Sequence, residues 1–207
     1  MSYNDLNPDQ KKNFEAELRT AGIDRTSVPK QVTIDSEHSH TRDAAKVGMK
    51  IHKVTLRDLQ HMKELGGVPD SRYSKDKQSD SFVEYPGAFS ADRARLLNEA
   101  SDADTLHAAL QPQERDAINH AIRSFVLGNS AKVAKGLVQL ANALSFPMDV
   151  GIAAVEELVI TDKYVITGTG PQKLIAGKIT IVKPNGQIVA EGVDLTISAQ
   201  VIEVREA

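Results

Sequence analysis

Residues 155–204 carry three repeats of one pattern: a run rich in β-branched residues, a short turn and a second run of the same kind. The repeats lie at residues 158–167, 179–190 and 195–204. β-Branched residues favour strands because two heavy atoms on Cβ fit a pleated surface and restrict χ1 in a helix. This segment therefore predicts a compact C-terminal β unit, whose exposed strand edges need a cover.

Two arrangements of this β unit fit the repeats, and the sequence leaves both open. In an antiparallel meander each repeat is a hairpin, and Asn185-Gly186 is the strongest hairpin signal because both residues tolerate positive φ. In a short parallel β-solenoid each repeat is one rung, and inward apolar residues stack from rung to rung. The corners of such rungs would be glycines, at Gly168, Gly170, Gly177, Gly186 and Gly192.

The segments before the β unit are predicted to be mostly helical. Asn7, Pro8 and Gln10 form a helix start, and Phe14 and Leu18 lie on one face of the helix that follows. Residues 91–146 divide into four helices, of which the last two form a helical hairpin. The predicted fold class is α+β, with a mostly helical N-terminal three quarters packed on the small C-terminal β unit. The predicted domains are a loop-rich region with a helix at 1–89, a helical bundle at 90–150 and the β-repeat unit at 151–207.

Composition excludes several classes of function. The chain has 207 residues, no cysteine and a formal net charge of −3. A disulfide framework, a cysteine zinc site and a thiol nucleophile are therefore excluded, and no general charge attracts nucleic acid. The N-terminus lacks the basic and apolar regions of a Sec signal peptide, and no apolar run approaches the ~18 residues of a transmembrane helix. We expect a soluble protein, either cytoplasmic or exported without a Sec signal peptide.

One candidate metal site lies at His38 and His40, beside Asp35 and Glu37. In an extended segment, residues two apart project to the same side, so both imidazoles could bind one ion. A catalytic zinc site needs a third ligand as well. The candidates for that ligand are His52, His61, Glu64, His107 and His120.

No motif in the sequence names a reaction or a cofactor. The Gly168-Thr-Gly-Pro stretch is not followed by a predicted helix, and no Gly-x-Ser-x-Gly nucleophile elbow occurs. The sequence favours a non-enzymatic interaction or assembly protein, with a protein partner or a second copy of itself. The apolar strand at residues 201–204 is expected to be covered by such a copy or by the chain's own helices. The alternatives are a metal-assisted enzyme with a site near His38 and His40, and a secreted toxin or effector.

Overall fold

The computed structural model describes residues 3–38, 44–73, 82–100, 102–168 and 170–207. The chain forms two compact units. The first unit joins Met1–Val54 to Asp149–Ala207, and the second is the continuous segment Thr55–Met148. The second unit is thus inserted into the sequence of the first.

Strands dominate the first unit and helices the second. The strands are β1 (Gln31–Ile34), β2 (Ile51–Leu56), β3 (Met148–Ile160), β4 (Lys163–Thr167), β5 (Gln172–Lys183), β6 (Gln187–Glu191) and β7 (Leu195–Glu206). The α-helices are α1 (Pro8–Thr20), α2 (Leu59–Gly66), α3 (Ala91–Asn98), α4 (Ala103–Ala109), α5 (Pro112–Leu127) and α6 (Lys135–Ser145). Short 3-10 helices lie at Tyr3–Asp5, Arg25–Ser27, Ala44–Val47, Asp70–Tyr73 and Ser130–Lys132.

The strands form two sheets. In the five-stranded sheet, β1, β3, β5 and β7 lie side by side in that order, and β2 also pairs with β3. Strands β4 and β6 form the second sheet. The pairs β1–β3, β3–β5, β5–β7 and β4–β6 are all parallel. Each connection between the parallel strands β3, β5 and β7 passes through a strand of the other sheet, because β4 lies between β3 and β5 in sequence and β6 lies between β5 and β7.

The predicted fold class, helices over a small C-terminal β unit, is wrong. The fold is α/β, with a mostly parallel five-stranded sheet interleaved with helices. Strands β1 and β2 come from the N-terminal part of the chain and join this sheet beside β3. Their pairing with β3 joins residues that are far apart in the chain, and a local sequence pattern does not indicate such a pairing. The hairpin at Asn185-Gly186, one of the two arrangements that the sequence leaves open, is absent because β5 and β6 belong to different sheets.

The strand lengths differ from those expected. Strand β3 begins at Met148, well before the predicted start at residue 158, and contains Gly151, Ala153 and Ala154. These residues have low strand propensity, but Ala153 and Ala154 are buried, so tertiary packing overrides the local preference. The third repeat predicts a short turn at Ala199, but no turn forms there and β7 is continuous from Leu195 to Glu206.

Helix α1 forms as its sequence predicts. The Gln10 backbone N–H donates to Asn7 Oδ1 and the Asn7 N–H donates to Gln10 Oε1, each at 2.9 Å, which completes a capping box. Phe14 and Leu18 are buried on the face that packs against β5 and β7. The helix thereby covers one face of the large sheet.

The second unit has its own apolar core. Helices α2 to α6 bury a cluster centred on α5 and α6, which includes Ile118, Phe125 and Leu140. The buried Lys63 ammonium donates to the carbonyl oxygens of Phe125 and Gly128, both at 2.7 Å. Lys63 thus satisfies carbonyls at the C-terminal end of α5, where a helix leaves such groups unpaired and where its dipole favours a cation.

Candidate interaction surface

Strand β7 lies at the edge of the large sheet. It pairs along its whole length with β5, from Leu195 opposite Gln172 to Glu206 opposite Lys183. In the part of the chain that the structure describes, no strand pairs with the other side of β7. The opposite edge of the sheet is formed by β1 and β2, which both pair with β3. These two strands have four and six residues, whereas β7 has 12, so β7 is the longest continuous edge of the large sheet.

Apolar ladders run across the sheet and reach solvent at β7. Val32, Leu158, Ile179 and Ile202 occupy one row through β1, β3, β5 and β7. Leu158 and Ile179 are fully buried, whereas Ile202 is 59% exposed. Two further rows behave in the same way and end at Val204 and Ile197, which are 54% and 38% exposed. We name Ile197, Ile202 and Val204 the open ladder ends.

We call the face of the large sheet that packs against β4 and β6 its inner face, and the opposite face its outer face. At one level of the sheet, the alternation of inner and outer side chains shifts by one residue in β3, β5 and β7. Along β3 the side chains in the inner core are Ala153 and Val155, and then Leu158 and Ile160. The step from 155 to 158 breaks the two-residue period of a strand. Along β5 the inner residues are Leu174 and Ala176, and then Ile179 and Ile181, with the shift in the same row. The register carries this shift into β7, between Ala199 and Ile202.

Gly177 occupies the shifted position of β5 because no side chain fits there. A Cβ on Gly177 would lie 2.4 Å from Cδ2 of Tyr3 and 2.7 Å from the carbonyl oxygen of Glu156. The corresponding position in β7 is Gln200, whose Nε2 lies 3.4 Å from Oε1 of Glu17 on α1. The shift therefore lies under the N-terminal segment and α1, on the outer face of the sheet.

Ion pairs line that outer face. Lys178 is almost fully buried on β5, and its Nζ lies 2.5 Å from Oε2 of Glu203 on β7. Lys173 is also buried, and its Nζ lies 3.2 Å from Oε2 of Glu17, an ion-pair contact without hydrogen-bond geometry. Arg25 pairs with Glu156. These contacts compensate buried lysines, which would otherwise be strongly disfavoured.

The Lys178–Glu203 pair affects the titration of the carboxylate. The hydrogen bond from Lys178, followed by its positive charge, lowers the pKa of Glu203 from the ordinary value of 4.5. Glu203 is thus ionised at neutral pH, and it fixes the outer face of β7 against β5. Strand β7 therefore has an ordered outer face and an apolar inner face that is open.

A cavity of about 220 Å³ lies between the two sheets, near the N-terminal ends of β5 and β7. Its lining is mostly apolar and includes Ala153, Leu174 and Leu195, with the Tyr164 side chain also on its wall. Burial raises the pKa of the Tyr164 hydroxyl to about 12. The hydroxyl therefore stays protonated at neutral pH, where it can donate a hydrogen bond but cannot act as a base.

The predicted metal ligands are placed only in part. His38 Nδ1 lies 2.9 Å from Asp35 Oδ1, and this hydrogen bond is the main cause that lowers the pKa of Asp35. His40 lies outside the described residues. Among the residues that are described, no group of three or more histidine, aspartate or glutamate side chains could hold a metal ion. A metal site at His38 and His40 stays a prediction.

The sequence predicted the apolar end of β7, but it did not predict the features that make this strand a candidate interaction surface. The position of β7 at the edge opposite β1 and β2 depends on long-range pairing. The shift depends on Gly177, and a glycine in a strand pattern is a signal for a bulge or a close backbone approach. Neither Lys178 nor Glu203 carries a local signal that marks it as one of a pair.

No known protein family, curated protein or solved structure matches this chain. Among the described residues, no helix has the length and apolar character needed to cross a membrane.

Proposed function

We propose that this chain is a non-enzymatic assembly protein in which two copies associate through the open edge of β7. The observation that carries this proposal is the set of open ladder ends, Ile197, Ile202 and Val204. In β3 and β5 the equivalent positions are covered by the next strand, whereas in β7 they are exposed. An added strand would cover them and would satisfy the backbone groups along the edge of β7.

The lengths of the edge strands favour a second copy that presents its own β7. A copy that stacked head-to-tail would have to pair its β7, which has 12 residues, with the separate strands β1 and β2, which have four and six. Two β7 edges can instead meet about a two-fold axis, with each strand offering the same surface to the other. Such an interface is closed, and it covers six open ladder ends at once.

The test replaces two open ladder ends with lysine, as Ile202→Lys together with Val204→Lys. Both side chains are more than half exposed, so the variant should fold. An interface that buries an apolar ladder cannot accept unpaired ammonium groups without a large cost. Sedimentation or light scattering should show the parent chain as a dimer and the variant as a folded monomer.

The matched control carries the same chemistry on the other unit, as Leu96→Lys together with Leu127→Lys. Leu96 and Leu127 are 55% and 46% exposed, close to the values at the tested positions. This control should remain a dimer. A parent chain that is monomeric across its whole soluble concentration range would overturn the proposal.

A further inference from the structure

We infer that the two copies pair antiparallel about a two-fold axis that passes between Gln200 and Val201, with the whole of β7 in the interface. This inference rests on the proposed function and specifies its geometry. It follows from how the one-residue shift distributes the side chains of β7 between the two faces of the sheet.

The face pattern of β7 can be read from its register with β5. Ile197 and Ala199 lie in the inner rows with Leu174 and Ala176, and Ile202 and Val204 lie in the inner rows with Ile179 and Ile181. Alternation adds Leu195 and Glu206 to the inner face. The outer face holds Thr196, Ser198, Gln200, Val201, Glu203 and Arg205. Two adjacent outer residues, Gln200 and Val201, therefore stand at the centre of the strand.

This pattern is a palindrome. Read from Leu195 forward or from Glu206 backward, inner and outer positions follow in the same order. A two-fold axis perpendicular to a sheet reverses the strand direction and keeps each face on its own side. Around an axis between Gln200 and Val201, every inner residue therefore faces an inner residue of the second copy, and every outer residue faces an outer one.

Other antiparallel registers lose this match. A displacement by one residue places inner residues against outer residues at most positions, because the side-chain period of a strand is two. A displacement by two places either Ala199 opposite Gln200 or Val201 opposite Ile202. It also leaves the last two residues at one end of each strand unpaired. In a strand with strict alternation, an axis between two residues would place every inner residue opposite an outer one. The matched register therefore requires the shift.

The chemistry of the opposed pairs agrees with the face pattern. On the inner face, Ile197 lies opposite Val204 of the second copy, and Ala199 lies opposite Ile202. On the outer face, Thr196 lies opposite Arg205, and Ser198 lies opposite Glu203. Like charges directly opposite each other would destabilise an antiparallel pair, and no such pair occurs in this register. The two open ladder ends at the C-terminal side of the strand are thus covered by the N-terminal half of the partner strand.

The absence of cysteine allows a direct test by disulfide trapping. Thr196 and Arg205 are both exposed, so cysteine at either position should leave the fold intact. Opposed residues in an antiparallel pair have Cβ atoms roughly 4.5–5.5 Å apart, close to the distance that a disulfide needs. The double variant Thr196→Cys with Arg205→Cys should become linked as a dimer under mild oxidation, with loss of almost all monomer on a non-reducing gel.

The single variants are the matched controls. In the inferred register the two copies of position 196 lie roughly 30 Å apart, at ~3.3 Å per residue along the strand. The two copies of position 205 are separated equally. Neither Thr196→Cys alone nor Arg205→Cys alone should be linked.

The outcomes separate this inference from the proposed function. A dimer whose double variant is not linked, or whose single variants are linked as readily, overturns the register and leaves the proposed function in place. A monomeric parent chain overturns both. Linkage of the double variant alone supports both.

Discussion

Glu203 connects the two faces of β7. Its carboxylate holds the buried Lys178 on the outer face, while its neighbours Ile202 and Val204 point into the open inner face. Among the described residues no strand pairs with the far edge of β7, so the strand is held by the ladder with β5, by this ion pair and by its contacts with α1. Removal of one partner of a buried ion pair strongly destabilises a protein.

We expect Glu203→Gln to lower the free energy of unfolding at neutral pH. The pKa of Glu203 is depressed in the folded state, so its stabilising contribution is complete above the ordinary value of 4.5. That contribution is lost as the pH falls through the lower folded value. The difference between parent and variant should therefore be largest at neutral pH and should shrink at acid pH, as measured by urea unfolding.

Lys178→Met is the control for that experiment. Methionine fills a similar buried space without a charge, and removal of a buried charge can leave stability unchanged or increase it. Glu203→Gln in the Lys178→Met background should then have little effect at any pH. A difference between parent and Glu203→Gln that does not vary with pH would rule out the ion pair as its cause.

Gly177 is the residue on which the one-residue shift depends. In Gly177→Ala, the new methyl group would overlap the Tyr3 ring and the backbone of Glu156. Overpacking of this kind costs about 1–3 kcal/mol of stability. Urea unfolding followed by circular dichroism should show that loss. In Gly170→Ala the added Cβ would lie 3.4 Å from the Asp149 carbonyl oxygen, so this control should change stability much less. Equal losses in the two variants would contradict the close approach at Gly177.

At the scale of elements, the sequence predicted what is local. The capping box of α1, the strands β4 and β6 and the helices α3 to α6 follow from caps, turns and periodicity within each segment. The sheet partners are not local. Gln31–Ile34 is too short to indicate a partner, yet it pairs with β3 at the far edge of the sheet. The candidate interaction surface could therefore be predicted as an apolar strand, but not as one edge of a five-stranded sheet.

The length of β7 shows how tertiary context joins two predicted runs. In the sequence, Ala199 looks like a break between two runs, because alanine does not favour a strand. In the structure Ala199 lies in register with Ala176, and Gln200 occupies the shifted row next to α1. What reads as a turn in the sequence is the centre of the strand.

At the scale of the whole molecule, the second unit is expected to fold alone. Its core cluster is made of residues within Thr55–Met148, and the segment is continuous. A fragment with these bounds should give a helical circular dichroism spectrum and a cooperative unfolding transition. The fragment Asp149–Ala207 lacks α1, β1 and β2, so it should not fold to the native sheet. An unfolded Thr55–Met148 fragment would show that the helices depend on the first unit. The same fragments test the three domains predicted from the sequence, and that division stays a prediction.

The way in which β7 pairs limits how large an assembly through this edge can become. A contact between unlike edges, such as β7 against β1, leaves one free edge of each kind and can add copies without end, and particle size then depends on concentration. In the proposed pairing of β7 with β7 about a two-fold axis, both copies use the same edge, so the contact is complete after a single addition. Higher concentration would increase the fraction of chains that are paired, but it would not make larger particles.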